Sequence, residues 1–151
     1  MACVTPYYVK DKNSIKGDFA VGCGKCVYCK RRRINEWVVR LQEEDRISSS
    51  SYFLTITYDT DHVPITPNGY LGLDKSDLQK FWKRLRYYDS GKIKYYAVGE
   101  YGDEKGRPHY HAIVFGIEDE ENIWKAWPKG EVHKGNVTEE SIAYTLKYIE
   151  R

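Results

Sequence analysis

No stretch of this chain approaches the roughly eighteen consecutive apolar residues that mark a membrane-spanning helix, so no membrane partner is expected. The opening, MACVTPYYVKDKNSIKGDFA, lacks the apolar core of a secretory signal. Cysteine is scarce, with four residues in 151. In a chain without an export signal, those four read as thiolate ligands or small buried residues rather than disulfides. No charge of one sign dominates: the formal net charge is +2, too small to argue for nucleic acid from the total alone. Internal repeats and low-complexity tracts are absent, which leaves an ordinary globular chain, long enough for one compact domain and too short to expect two. What the chain has in surplus is aromatic residues, 14 Tyr and 4 Trp. Such a surplus suits base stacking and a packed sheet equally.

The apolar pattern sets the order of elements. Ile34, Trp37, Val38 and Leu41 recur at helical spacing and predict an amphipathic helix over residues 28–46. YFLTITY, residues 52–58, is β-branched and aromatic enough for a strand. Residues 59–72, with Pro64, Pro67 and Asn68-Gly69, form a loop or small hairpin. Asp74 or Ser76 caps a second helix whose Leu78, Phe81, Trp82 and Leu85 make one stripe. A strand over residues 92–100, a turn-rich segment and the strand HYHAIVFG make a hairpin. A short helix near 119–127, with the acidic run 118–121 at its start, stops at Pro128. A brief strand at 131–137 and a helix opened by Thr138 or Ser141 and running to Arg151 complete the chain. After residue 50 the order is β-α-β-β-α-β-α. This predicts an α+β fold, an antiparallel sheet with helices packed on one face, of the ferredoxin-like or RNA-recognition-like kind. Residues 1–50 are expected to form a cysteine-rich arm and helix packed on a core of residues 51–151.

In GRPHYHAIVFG, residues 106–116, strand alternation sends His109 and His111 to one face and Tyr110 to the other. Glu100 ends the preceding strand of the same hairpin, so its carboxylate can return toward the two imidazoles. Two histidines and one carboxylate, with coordination positions to spare, suit a catalytic divalent ion, Mg²⁺ or Mn²⁺, rather than a closed structural site. The alternative is a hydrogen-bonded polar strand end. In YTLKYIER, residues 144–151, Tyr144 and Tyr148 share a helix face, and each has a basic residue three positions on, Lys147 and Arg151. A phenol with a pKa near 10 is a poor nucleophile unless a cation lies near or the electrophile is activated. A metal ion would activate a phosphate, and Lys147 would stabilise developing charge. The bland reading of the same helix is an aromatic stripe facing the core.

GRPHYH, with FLTITY before it and a tyrosine-bearing helix after it, resembles the HUH endonucleases, which start rolling-circle DNA replication. The doubled YTLKY and the start CGKCVYC…RRRINEWVVR resemble the two-tyrosine initiators of small single-stranded DNA phages, the microviruses, especially the gokushovirus branch. The resemblance implies His109, His111 and Glu100 as metal ligands, Tyr144 and Tyr148 as nucleophiles and Lys147 as their helper. It implies nicking and rejoining of single-stranded origin DNA through a 5′-phosphotyrosine link, in the cytoplasm of a bacterial host and alongside the host replication machinery. Two features depart from the family pattern. Tyr110 is aromatic where many members carry an aliphatic residue, and the chain stops right after the tyrosine helix, as a domain excised from a longer protein would.

Cys23, Cys26 and Cys29 form C-x2-C-x2-C, and Cys3 can return as a fourth ligand. The set suits a tetrahedral structural Zn²⁺, fits part of an iron-sulfur cluster, or consists of reduced thiols. Two basic clusters, at 25–33 and 80–86, offer phosphate contacts through Arg31, Arg32, Arg33, Lys80, Lys83 and Arg84, with Arg107 beside the histidines. Aromatics such as Tyr101 or Trp124 would stack bases. Solvated helix faces are the plain alternative for both clusters. Two rival functions stay open: a sheet-based nucleic-acid-binding module without catalysis, and a transposase or relaxase of the same superfamily.

Overall fold

The computed structural model describes residues 3–10, 18–101 and 107–147. Tyr148 and Arg151, expected to continue the last helix, lie outside the described residues, as does the turn 102–106.

Two strands not expected from the sequence come first. β1 (Tyr7–Lys10) and β2 (Asp18–Val21) pair antiparallel as a separate two-stranded unit. Tyr7, Tyr8, Val9, Phe19 and Val21 are all exposed, so no alternation of buried and solvated positions marks these strands in the sequence. Then follow α1 (Val27–Ile47), β3 (Ser51–Thr57), α2 (Lys75–Tyr88), β4 (Lys94–Tyr101), β5 (Pro108–Phe115), α3 (Glu121–Ala126), β6 (Val132–Gly135) and α4 (Glu139–Leu146). From β3 onward this is the expected order. The sheet runs β4-β5-β3-β6 with every neighbouring pair antiparallel.

The helix starts follow capping chemistry. Asp74 accepts a hydrogen bond from the Ser76 backbone N–H at 2.9 Å, which satisfies one of the four donors a helix leaves open at its start. Thr138 and Ser141 form a reciprocal capping box at α4. At its C-terminal end α2 is held by Asp89, which is 5% exposed. Its carboxylate accepts from the backbone N–H groups of Gly91, Glu118 and Asp119 and from Asn122 Nδ2. Burial alone would raise the Asp89 pKa, but these donors outweigh burial and hold it below its ordinary value.

Helices cover both faces of the sheet, not the single face expected. Tyr110, Ala112 and Val114 of β5 belong to one apolar cluster, with Leu54, Ile56, Phe81, Trp82, Leu85 and Ile123. Ile113 and Phe115 belong to another, with Leu41, Ile142 and Leu146, against which Ile34, Trp37 and Val38 of α1 pack. Both parities of β5 are therefore apolar, and a sheet open on one side would leave one set in water, at roughly 1.5–3 kcal/mol for each large side chain. α2 and α3 cover one face. α1 and α4 cover the Ile113–Phe115 half of the other and leave its opposite end accessible.

Candidate metal centre and active site

That accessible end carries the two histidines. β-Pairing sets Glu100 directly opposite His109, and Thr57 and Thr55 opposite His109 and His111 from the other side, so all five side chains stand on one face. Three donor atoms converge there. His109 Nε2 is 3.0 Å from His111 Nε2, and Glu100 Oε2 is 3.3 Å from the first and 3.1 Å from the second. Donors about 2.1 Å from one ion and at right angles to each other are about 3.0 Å apart. The triangle therefore has the dimensions of one face of an octahedron.

The ring orientations suit ligation. His109 Nδ1 donates to the Arg107 carbonyl at 3.2 Å, and a carbonyl only accepts, so Nδ1 carries the proton and the Nε2 lone pair points into the triangle. On the other ring, Thr55 Oγ1 lies 3.3 Å from His111 Nδ1, placed to accept its proton, and Phe53 stacks on the ring with centroids 5.6 Å apart. Burial holds the His111 pKa below its ordinary value; the neighbouring His109 and Lys147 charges add to this and Glu100 opposes it. A neutral imidazole is the form that binds a metal ion.

α4 brings Tyr144 to the same spot. Its hydroxyl donates to Glu100 Oε2 at 3.3 Å, and its ring meets His111 edge-on with centroids 5.0 Å apart. Lys147 Nζ stands 4.0 Å from the centre of the Tyr144 ring. Thus Glu100, His109, His111, Tyr144 and Lys147 are brought together, from β4, β5 and the α4 end of the chain. Tyr148 lies outside the described residues. Thr55 and Phe53, which hold His111, are functional neighbours that sequence reasoning missed; the alternation Phe53-Thr55-Thr57 in the strand was their only signal.

The cysteines form a second cluster. One sulfur from each of Cys3, Cys23, Cys26 and Cys29 lies within 4.8 Å of the others, with Cys23–Cys29 at 4.0 Å and Cys3–Cys26 at 3.7 Å. Cys23 Sγ accepts from the backbone N–H groups of Lys25 and Cys26 at 3.4 and 3.3 Å. Its pKa is lowered to about 5 by the Thr5 side chain and these two N–H groups, which favours the thiolate.

The basic residues divide. Arg31, Arg32 and Arg33 lie in the first turns of α1, where no acidic residue sits. Arg33 Nη2 donates to the Gly24 carbonyl at 2.9 Å. Arg107, exposed at the start of β5, donates to the Tyr58 carbonyl at 2.8 Å. The α2 set is corrected by the fold. Phe81, Trp82 and Leu85 seat α2 on the Tyr110 face, so Lys80, Lys83 and Arg84 lie across the sheet from the triad. Arg84 Nε donates to the Ala126 carbonyl at 2.7 Å, so this guanidinium anchors α3 to α2 rather than meeting phosphate.

Comparison with known proteins fits this arrangement. Residues 51–151 match a family model of replication-associated proteins, that of the ORF2 type. The chain is 31% identical to replication-associated protein ORF4 of Chlamydia phage 1, over 88% of this chain and 38% of that one. It is 32% identical to replication-associated protein ORF2 of Spiroplasma virus 4, over 93% and 51%, and 27% identical to replication-associated protein VP4 of Bdellovibrio phage phiMH2K, over 86% and 48%. The chain thus spans about half or less of these relatives. The fold is similar to that of the hypothetical protein ORF119 from Sulfolobus islandicus rod-shaped virus 1, with TM-score 0.50 and 20% identity over 74% of this chain and 89% of that one. Among the described residues, no helix is long and apolar enough to cross a membrane. By the match over residues 51–151, the chain belongs to the ORF2-type family of replication-associated proteins, and its relatives are the microvirus-type rolling-circle replication proteins that its motifs resemble.

Proposed function

We propose that this chain nicks and rejoins single-stranded origin DNA as the nuclease part of a rolling-circle replication initiator, acting in the cytoplasm of an infected bacterium. The observation that carries the reading is the convergence of Glu100, His109 and His111 within hydrogen-bond distance of one another, with the Tyr144 hydroxyl 3.3 Å from Glu100. Glu100, His109 and His111 hold Mg²⁺ or Mn²⁺, for which a mixed carboxylate and imidazole set with octahedral spacing is suited. When bound, the ion supplies Lewis-acid polarisation of a phosphate oxygen. Tyr144 Oη forms the new bond to phosphorus and the bond to the 3′-oxygen breaks in line with it. Glu100 Oε2, which already accepts the phenolic proton, is the nearest base, and the departing 3′-oxygen takes up a proton from water, so that a free 3′-hydroxyl results. Lys147, over the Tyr144 ring, stabilises charge on the phenolate oxygen. The bond energy kept in the phosphotyrosine allows rejoining, with Tyr148 as the second nucleophile and the host replication machinery extending the 3′-hydroxyl between the two cuts.

Incubation with labelled single-stranded oligonucleotides and Mn²⁺ is expected to give a protein-DNA adduct that survives denaturation, and EDTA added beforehand is expected to prevent it. Binding without any adduct on origin-derived strands overturns this reading and leaves a nucleic-acid-binding module.

The four cysteines hold a structural Zn²⁺. In a tetrahedron with zinc-sulfur bonds of about 2.3 Å, the sulfurs are about 3.8 Å apart, and the observed separations of 3.7 and 4.0 Å agree. Elemental analysis is expected to find one zinc per chain and to lose it in Cys23→Ser. An unchanged, near-zero content in both proteins removes the assignment.

A further inference from the structure

A groove of about 840 Å³ lies between the cysteine cluster and the outward side of α1, lined by Cys3 and Cys29 on one wall and by Tyr28, Arg31, Arg32 and Arg40 among others on the opposite one. We propose that this groove binds the single-stranded DNA that flanks the nicked phosphate, an inference that rests on the nicking function above and gives it a substrate track.

The position of α1 supports this. The Trp37 ring lies 5.0 Å from the Tyr96 ring, and Glu44 pairs with Lys94 at 3.2 Å, so α1 runs antiparallel to β4. From Tyr96 to Glu100 is four strand residues, about 13 Å. The same distance back along a helix from Trp37 is about nine residues, which reaches Tyr28. The groove therefore opens at the level of the triad, on the face of the sheet that carries it.

Its chemistry supports an extended polyanion with unpaired bases. Lys30, Arg31, Arg32 and Arg33 are consecutive at the start of α1, whose first turn has no acid. A helix N-terminus disfavours cations, and a row of phosphates relieves that repulsion. Of the groove's charges, Glu36 is committed to Arg32 at 3.2 Å, and Arg40 lies over the Trp37 ring at 5.1 Å, so the lining stays net positive. Tyr28 is 50% exposed and Val39 64% exposed. An exposed ring between guanidiniums offers a base a stacking partner, which a duplex with its bases stacked inside cannot use. The cysteine cluster holds the opposite wall in place.

The test is fluorescence anisotropy with labelled oligothymidylate, in protein that carries His109→Ala and His111→Ala so that binding is read without cleavage and without a chelator that would strip the cysteines. Tyr28→Ala is expected to weaken binding about tenfold, and to make no difference on an abasic strand of equal length. Arg31→Ala with Arg40→Ala is expected to weaken binding and to lower the slope of log affinity against log salt by about 1.4. Unchanged affinity and slope in these surface variants overturn the proposal. Equal losses by Tyr28→Ala on thymidylate, abasic strand and duplex also overturn it, since they describe a phosphate patch or a protein contact and not a single-strand track. Because no cleavage is read, a missing covalent adduct leaves a positive result standing, and unchanged binding removes the groove even if the adduct forms.

Discussion

His111→Ala is expected to lower the rate of covalent adduct formation by about a thousandfold. The ring contributes one of three donors in a triangle of 3.0 to 3.3 Å, and alanine leaves only His109 and Glu100, too few to fix an ion against competition from water. The loss is electrostatic more than structural. His111 is 6% exposed, and removing it leaves a small cavity against Phe53 and Tyr144, costing roughly 2 kcal/mol, against about 5–15 kcal/mol for a typical domain. The protein therefore stays folded while activity disappears. His109→Ala is expected to do the same at lower structural cost, since the side chain is more exposed, at 19%. Adduct yield with time in Mn²⁺, a Mn²⁺ binding titration and a thermal melt together decide the matter. Normal cutting by both variants would mean that the triangle does not hold the working ion.

Much of that triangle is legible in the chain. The alternation in HYHAIVFG puts His109 and His111 on one side wherever the strand lies, and the antiparallel pairing of its hairpin partner brings Glu100 opposite His109, as the register shows. These are short-range consequences of strand geometry. The groups that orient His111 are not legible in the same way. Thr55 and Phe53 reach it only because β3 pairs with β5 across more than fifty positions of sequence, and no local pattern encodes that pairing. The placement of helices has the same limit. The stripe Phe81-Trp82-Leu85 predicts that α2 is amphipathic, and says nothing of which face of the sheet receives it. The face it takes is the one bearing Tyr110, and so the basic cluster of α2 ends up across the sheet from the histidines. The β1–β2 unit was invisible for a different reason: its apolar side chains are exposed, and a strand without a buried side leaves no period of two to read.

Replacing Tyr144 and Tyr148 together by phenylalanine is expected to remove the adduct altogether while leaving the fold and DNA binding in place. The substitution at 144 deletes one oxygen. The ring that meets His111 at 5.0 Å and lies beneath Lys147 at 4.0 Å is retained, and the hydrogen bond lost to Glu100 costs about 1 kcal/mol at most in stability. With the hydroxyl gone no atom of that side chain can attack phosphorus, so the change in chemistry is complete where the change in packing is slight. Tyr144→Phe alone is expected to retain only what Tyr148 can supply, and comparing the two single variants on the same oligonucleotide assigns the order of the two tyrosines. Oligonucleotide affinity in the double variant, measured by anisotropy, is expected to match the parent protein. An undiminished adduct in the double variant would mean that another nucleophile cuts the strand, and the role given to α4 would fall while the metal ligands could stand.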